Sequence, residues 1–203
     1  MRSRNERDEP AWFLPCAQAV ETFFARRTSP RDALASPHNR RLSGEDRALL
    51  ARLCYAAIRD ERRSAFVLGP AVEDLGAGAR AQALVLAAAV TAGELEVHVA
   101  EAMFAQVSGA PLDFARLVDA DDLLLRVEDE VERFALRHSM PDWIARRLRD
   151  EFGAEAEAFA RSSNEPAPRT IRANRLVVKD RGELASRLAD EGISTALCRF
   201  APD

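Results

Sequence analysis

Side chains able to serve as nucleophiles, bases or metal ligands are few and scattered in this sequence. Cys16, Cys54 and Cys198 lie far apart and are odd in number, which argues against a disulfide framework. No Cys-x-x-Cys or His-x-x-x-His spacing is present, so the pattern of a zinc site is missing. A catalytic cysteine must be held as thiolate by a positive neighbour or a helix N-terminus. Cys16 follows Pro15 but sits within a helical apolar pattern, Cys54 falls on an apolar stripe, and Cys198 falls on a predicted strand. None of the three is expected to be catalytic. His38, His98 and His138 read as surface or packing residues. What the sequence does concentrate is guanidinium: Lys179 is the only lysine. A planar guanidinium can fork onto phosphate.

The charge is unevenly spread. Residues 1–63 carry 13 basic and 9 acidic side chains, 64–136 carry 4 and 13, 137–187 carry 11 and 8, and 188–203 carry 1 and 3, so two basic regions flank an acidic one. The net charge of -4 therefore does not exclude a nucleic-acid partner, because the local field decides. At 47% hydrophobic and 31% charged residues, the composition is that of a globular protein. The best apolar run, 81–92, is too short to span a bilayer, and the charged start is unlike a signal peptide. A cytoplasmic location is expected.

The elements that must position the arginines are mostly helices. Residues 1–10 read as a disordered leader. A helix is expected from about 11 to 27, with Leu14, Ala17, Val20 and Phe24 at helical spacing. Ser29-Pro30-Arg31-Asp32 and Ser43-Gly44-Glu45-Asp46 are N-cap sequences. The second opens a helix predicted over 44–63, with Leu49, Leu50, Leu53, Cys54, Ala57 and Ile58 as its apolar stripe and Arg52, Arg59, Arg62 and Arg63 turned to solvent. Further helices are expected over 79–92, 94–107, 113–118, 121–136, 140–153 and 154–163. After Pro166-Ala167-Pro168 the pattern changes to a strand over 170–173, a helix from the Asp180 cap to Gly192, and a second strand over 193–200.

Two stretches carry a resemblance. In Ser43 to Arg63, the pair Asp46-Arg47, Tyr55 and Arg59 resemble the NusB-like domain that opens the RsmB/NOP (Fmu/Sun) family of RNA cytosine-C5 methyltransferases. In Met140 to Asn174, the residues Pro141, Trp143, Phe152-Gly153, Asn164, Pro168, Arg172 and Asn174 follow that family's order for the small RRM-like segment before the catalytic domain. The helix end at Leu184, Leu188 and Gly192-Ile193 and the closing Ala201-Pro202-Asp203 also fit. The resemblance implies a mainly α chain, with a NusB-like helical bundle over 11–136 and a small α/β (RRM-like) segment over 137–203. It implies RNA, of ribosomal type, as partner, and neither DNA nor a membrane; the oligomeric state is left open. The expected RNA-binding residues are Arg47, Arg52, Arg59, Arg62 and Arg63 on the helix, and Arg172, Asn174 and Arg175 in the small segment. Trp143, within a first helical turn, is expected to anchor the core.

The family's chemistry uses one cysteine thiolate to attack cytosine C6 and a second to assist release. Their Pro-Cys and Thr-Cys-Ser contexts after parallel strands are not found here. No catalytic residue and no cofactor are therefore expected in this chain, S-adenosylmethionine being implied for a catalytic domain outside it. The run from Glu73 to Ala79, EDLGAGA, imitates a Gly-rich cofactor loop, but no clear apolar strand precedes it; an interhelical loop is expected. The chain thus reads as an RNA-binding N-terminal portion of an RNA (cytosine-5-)-methyltransferase. The alternatives are a stand-alone NusB-like RNA-binding or regulatory module and a helical protein–protein adaptor.

Overall fold

The computed structural model describes residues 10–165, 167 and 169–198, the side chains of Pro37 and His38 excepted. The leader expected at 1–10 falls outside it save for Pro10, as do the last two residues of the strand expected at 193–200 and the closing three residues.

The packing divides the chain into two compact units, Met1–Asn164 and Glu165–Asp203. The boundary expected at 136/137 lies inside the first unit. Its helices are α1 (Phe13–Arg26), α2 (Pro30–Leu34), α3 (Gly44–Arg59), α4 (Glu61–Leu68), α5 (Ala77–Thr91), α6 (Val97–Ser108), α7 (Ala120–Leu125), α8 (Glu130–Arg137), α9 (Asp142–Phe152) and α10 (Ala156–Asn164). The two serine caps act as expected. Ser29 Oγ accepts from Asp32 N at 3.1 Å and Ser43 Oγ from Asp46 N at 3.0 Å, and each hydroxyl donates to the same aspartate's carboxylate at 2.7 Å.

The centre of this unit is α5. Ala81 and every residue from Ala83 to Ala89 are buried, so the central two turns of the helix have no solvent face, as the middle of a core helix must. Its small side chains let α1 and α3 lie close against it and against each other. Phe13, Cys16 and Val20 of α1 meet Leu50, Leu53, Cys54 and Ala57 of α3 in one core cluster. The Cys16 thiol donates to Leu50 O at 3.6 Å. Its neighbour Cys54 and its burial hold Cys16 well above the usual thiol range, so it stays a neutral thiol. Phe114 closes the far end against Phe104, ring centroids 5.9 Å apart.

The helix predicted over 44–63 is interrupted by a single residue, Asp60 (φ -95°, ψ 15°), and resumes as α4 to Leu68. Asp60 is a weak helix former, and its carboxylate is taken by Arg59 Nε at 3.1 Å and Nη2 at 2.8 Å. The apolar phase carries on across the break, because α4 buries Ala65, Val67 and Leu68. Gly69, at φ +91°, then turns the chain where a side chain would be strained and would face the Arg116 guanidinium 3.6 Å away. The remaining helices form a smaller layer in which α8 packs on α9 and α9 on α10, with α4 reaching both α5 and α8.

In the second unit, α11 (Arg181–Asp190) opens on the expected cap. Asp180 Oδ1 accepts from Glu183 N at 3.0 Å, and Glu183 Oε2 accepts from Lys179 N, one residue before the cap, at 2.6 Å, a variant of the capping box. These backbone donors hold both carboxyls below their usual range. Gly192 (φ +78°) ends the helix, with Ile193 N donating to Leu188 O at 2.8 Å. The two strands expected at 170–173 and 193–200 do not pair: among the described residues there is no strand. Two short strands make no stable sheet in water without a third or a covering layer. Val178 is the one residue of this unit buried among the described residues.

Candidate nucleic-acid interface

The eight residues expected to meet RNA fall in different environments. Arg47 is exposed in the first turn of α3 and donates to Arg40 O at 3.4 Å. Arg52 is ion-paired with Glu94. Arg59 is held by Asp60 alongside it, which raises its pKa further. Arg62 is committed to the fold: Nη1 donates to Met140 O at 2.5 Å and Nη2 to Asp142 Oδ1 at 2.6 Å. Arg63 Nη2 reaches Asp121 Oδ1 at 3.1 Å. The backbone N–H groups of Arg62 and Arg63 both donate to Ser139 Oγ, at 3.1 and 3.3 Å. Ser139 sits at φ +52°, a conformation uncommon for serine. The structure thus gathers Arg62 and Arg63 into a clasp that fastens α4 to the α8–α9 turn, and Arg52 and Arg59 face carboxylates.

In the second unit, Arg172, Asn174 and Arg175 are exposed side chains of one irregular segment. Asn174 shapes it: its Oδ1 accepts from Leu176 N at 3.1 Å, and its carbonyl from Val177 N at 2.8 Å and Val178 N at 3.0 Å. Arg175 is near enough to Asp180 to favour its ionised form.

Five arginines outside the expected set, Arg26, Arg27, Arg31, Arg40 and Arg41, are also exposed. No ion pair holds them among the described residues. The signal that would have found them is local: residues 26–47 hold six arginines and three acids, and two of those acids serve the serine caps.

Trp143 does not anchor the core. It is 66% exposed, because the inward face of α9 is set by Ile144, Ala145 and Leu148, and residue 143 falls beside that stripe. The shallow depression along α8–α10 is lined by Arg133, Arg137, Arg149, Glu130 and Glu157. Its charges answer one another, Arg149 meeting Glu130 at 2.7 Å and Arg137 meeting Glu157 at 3.9 Å. His138, 7% exposed, brings Nε2 within 3.1 Å of Glu157 Oε2 without hydrogen-bond alignment.

The Gly-rich run Glu73 to Ala79 joins a 3-10 turn, Pro70–Val72, to α5. Glu73 to Gly76 form an interhelical loop, and Ala77, Gly78 and Ala79, expected to be loop, are the first turn of α5; a 3-10 turn, not a strand, precedes the run. Among the described residues no group of three His, Cys, Asp or Glu side chains could hold a metal ion, and no helix is long and apolar enough to cross a membrane.

Residues 140–203 match a protein-family model, the ferredoxin-like domain of RsmF/B-like methyltransferases. Over 78 residues, 38% of its length, the chain is 36% identical to the "Probable ribosomal RNA small subunit methyltransferase B" of Bacillus subtilis (strain 168). The matched stretch spans 17% of that relative.

Proposed function

We propose that this chain, an N-terminal portion of an RsmB/NOP-family protein, binds RNA and positions it for methylation by a catalytic domain outside these 203 residues. The observation that carries the reading is the match of residues 140–203 to the RsmF/B-like domain. It begins at Met140, where the Pro141/Trp143 resemblance begins. The relative's printed name supports ribosomal RNA as the substrate class, and cytosine C5 and S-adenosylmethionine follow from the family resemblance. In this reading the cofactor is held by the catalytic domain.

Residues 11–136 are proposed as a NusB-like bundle. The small segment is proposed as the first half of a ferredoxin-like β-α-β-β-α-β unit, with 170–173 and 193–200 as two strands on either side of α11 in the chain, each pairing with strands supplied by the second half. Arg172, Asn174 and Arg175 are its proposed RNA contacts, along with Arg47 on α3. Arg52, Arg59, Arg62 and Arg63 reach RNA only by giving up the partners described above. The proposed location is the cytoplasm.

Phosphate contact has a thermodynamic signature. Each contact releases condensed counterions, contributing about 0.7 to the slope of log affinity against log salt on single strands. For the whole chain with a fluorescently labelled RNA stem-loop, the expected result is a linear fall of slope roughly -3 or steeper, corresponding to four or more contacts. A slope near zero would sink the RNA reading and favour a protein–protein adaptor.

A further inference from the structure

We propose that the corner of the first unit formed by residues 26–47, not the solvent face of α3 and α4, is its phosphate-binding surface. This rests on the RNA reading above and specifies where it operates. The segment runs from the C-terminus of α1 through α2 and a 3-10 turn, Pro37–Arg41, into the first turn of α3. Arg26, Arg27, Arg31, Arg40, Arg41 and Arg47 are all exposed along it.

Three observations support this surface. The first is the six arginines' lack of carboxylate partners. Among the described residues none has an ion pair, whereas Arg52, Arg59, Arg62, Arg63 and Arg80 each do. A guanidinium already neutralised by a carboxylate gains little by meeting phosphate; one facing water gains the released counterions. Two of the three acids in the corner are engaged in helix caps: Asp32 and Asp46 accept from the Ser29 and Ser43 hydroxyls and return their own backbone N–H groups to those same oxygens, leaving Glu45.

The second observation is rigidity. Asn39, 7% exposed, donates from Nδ2 to Leu34 O at 2.8 Å and so binds the 3-10 turn to α2. Arg47 reaches back to Arg40 O. The helix α2 packs on both α1 and α3, and Leu34 and Leu42 pack against the core. Arginines on a fixed frame lose less freedom on binding than arginines on a mobile loop.

The third is the backbone at Arg27. It caps α1 in the left-handed conformation, φ 50° and ψ 35°, where glycine is the usual residue. Arginine at that position costs conformational energy and contributes nothing to the core, since the side chain is exposed.

The test measures binding of the whole chain to the labelled stem-loop across salt concentrations, with melting temperature as the check on folding. Reversing Arg31, Arg40 and Arg41 together to Glu is expected to lower affinity at least about tenfold and to flatten the salt slope by roughly two or more. The control, R126E/R147E/R161E, makes the same change in net charge elsewhere and is expected to keep most of the affinity. Arg27→Gly is expected to weaken binding while leaving the melting temperature unchanged or raised, which a structural role for Arg27 would not produce. If the wild-type chain binds and R31E/R40E/R41E binds equally well, the corner is refuted and the RNA reading survives. Equal losses in corner and control variants would mean that only net charge counts, and would also refute it. Competition by polyglutamate as strong, charge for charge, as by unlabelled RNA would make the corner a surface for acidic protein and overturn the proposal. A wild-type chain that does not bind RNA removes both the reading and the inference.

Discussion

Replacing Arg62 by Met is expected to destabilise the protein by about 2–3 kcal/mol, read from urea denaturation. Its guanidinium donates to the Met140 carbonyl in a partly buried place, and a hydrogen bond from a charged group is worth roughly 1.5–3 kcal/mol. The Asp142 ion pair adds little, because that carboxylate is 53% exposed. Methionine fills the stem's volume but leaves the carbonyl short of a donor. By contrast, Arg59→Met should cost under about 0.5 kcal/mol, since both Arg59 and Asp60 are partly exposed and adjacent in sequence. A chain that tolerated Arg62→Met as well as Arg59→Met would show that the clasp between α4 and the α8–α9 turn is not what holds that layer. The comparison also guards the functional tests: a loss of RNA binding on mutating Arg62 would report damage to the fold.

Phe13→Ala should have a larger effect, about 3–5 kcal/mol. Phe13 is fully buried at the start of α1, set edge-on against Trp12 with centroids 6.1 Å apart. It lies in the cluster where α1, α3 and α5 meet. The α5 side of this cluster is largely alanine, short side chains on a helix whose central stretch, 83–89, is buried on every face, so its backbone must move if the cavity is to shrink. The cost of a large-to-small change grows with the cavity that remains. A loss under about 1.5 kcal/mol, or one confined to α8–α10 in hydrogen exchange, would mean that the unit's stability is centred elsewhere.

The parts of this fold legible in the sequence are those governed by neighbours in the chain. Ser29, Ser43 and Asp180 each announce a helix within three residues, and each cap forms. The alanine-rich helix expected over 79–92 forms as α5, two residues longer at its start. The loop at Glu73 to Gly76 is legible because no apolar strand precedes it, although the expected loop ran on to Ala79 and α5 begins at Ala77. Trp143 was not legible in the same way: one residue of helical rotation separates the α9 core stripe from solvent, and a motif carries no phase.

The pairing of the arginines lay further out of reach. Arg52 meets Glu94, 42 residues on, Arg63 meets Asp121, 58 on, and Arg62 meets Asp142, 80 on. No local pattern states such distances, so a helix face rich in arginine looked open when tertiary packing fills it with carboxylates. The corner at 26–47 went unmarked for the opposite reason. Its arginines lie on three short elements rather than at one helical spacing, and only packing makes them one surface. The strands expected at 170–173 and 193–200 follow the change of pattern after Pro166-Ala167-Pro168, but a sheet depends on covering partners, which a local pattern does not supply.

This chain is proposed to carry RNA on defined basic surfaces. Ultraviolet crosslinking of the purified chain to small-subunit ribosomal RNA, followed by mass spectrometry of the RNA-bearing peptides, tests it most directly. The expected result is crosslinked peptides from residues 26–47 and 169–181, with the acidic stretch 64–136 unmarked. Crosslinks confined to 64–136, or none above a bovine serum albumin control, would contradict the account.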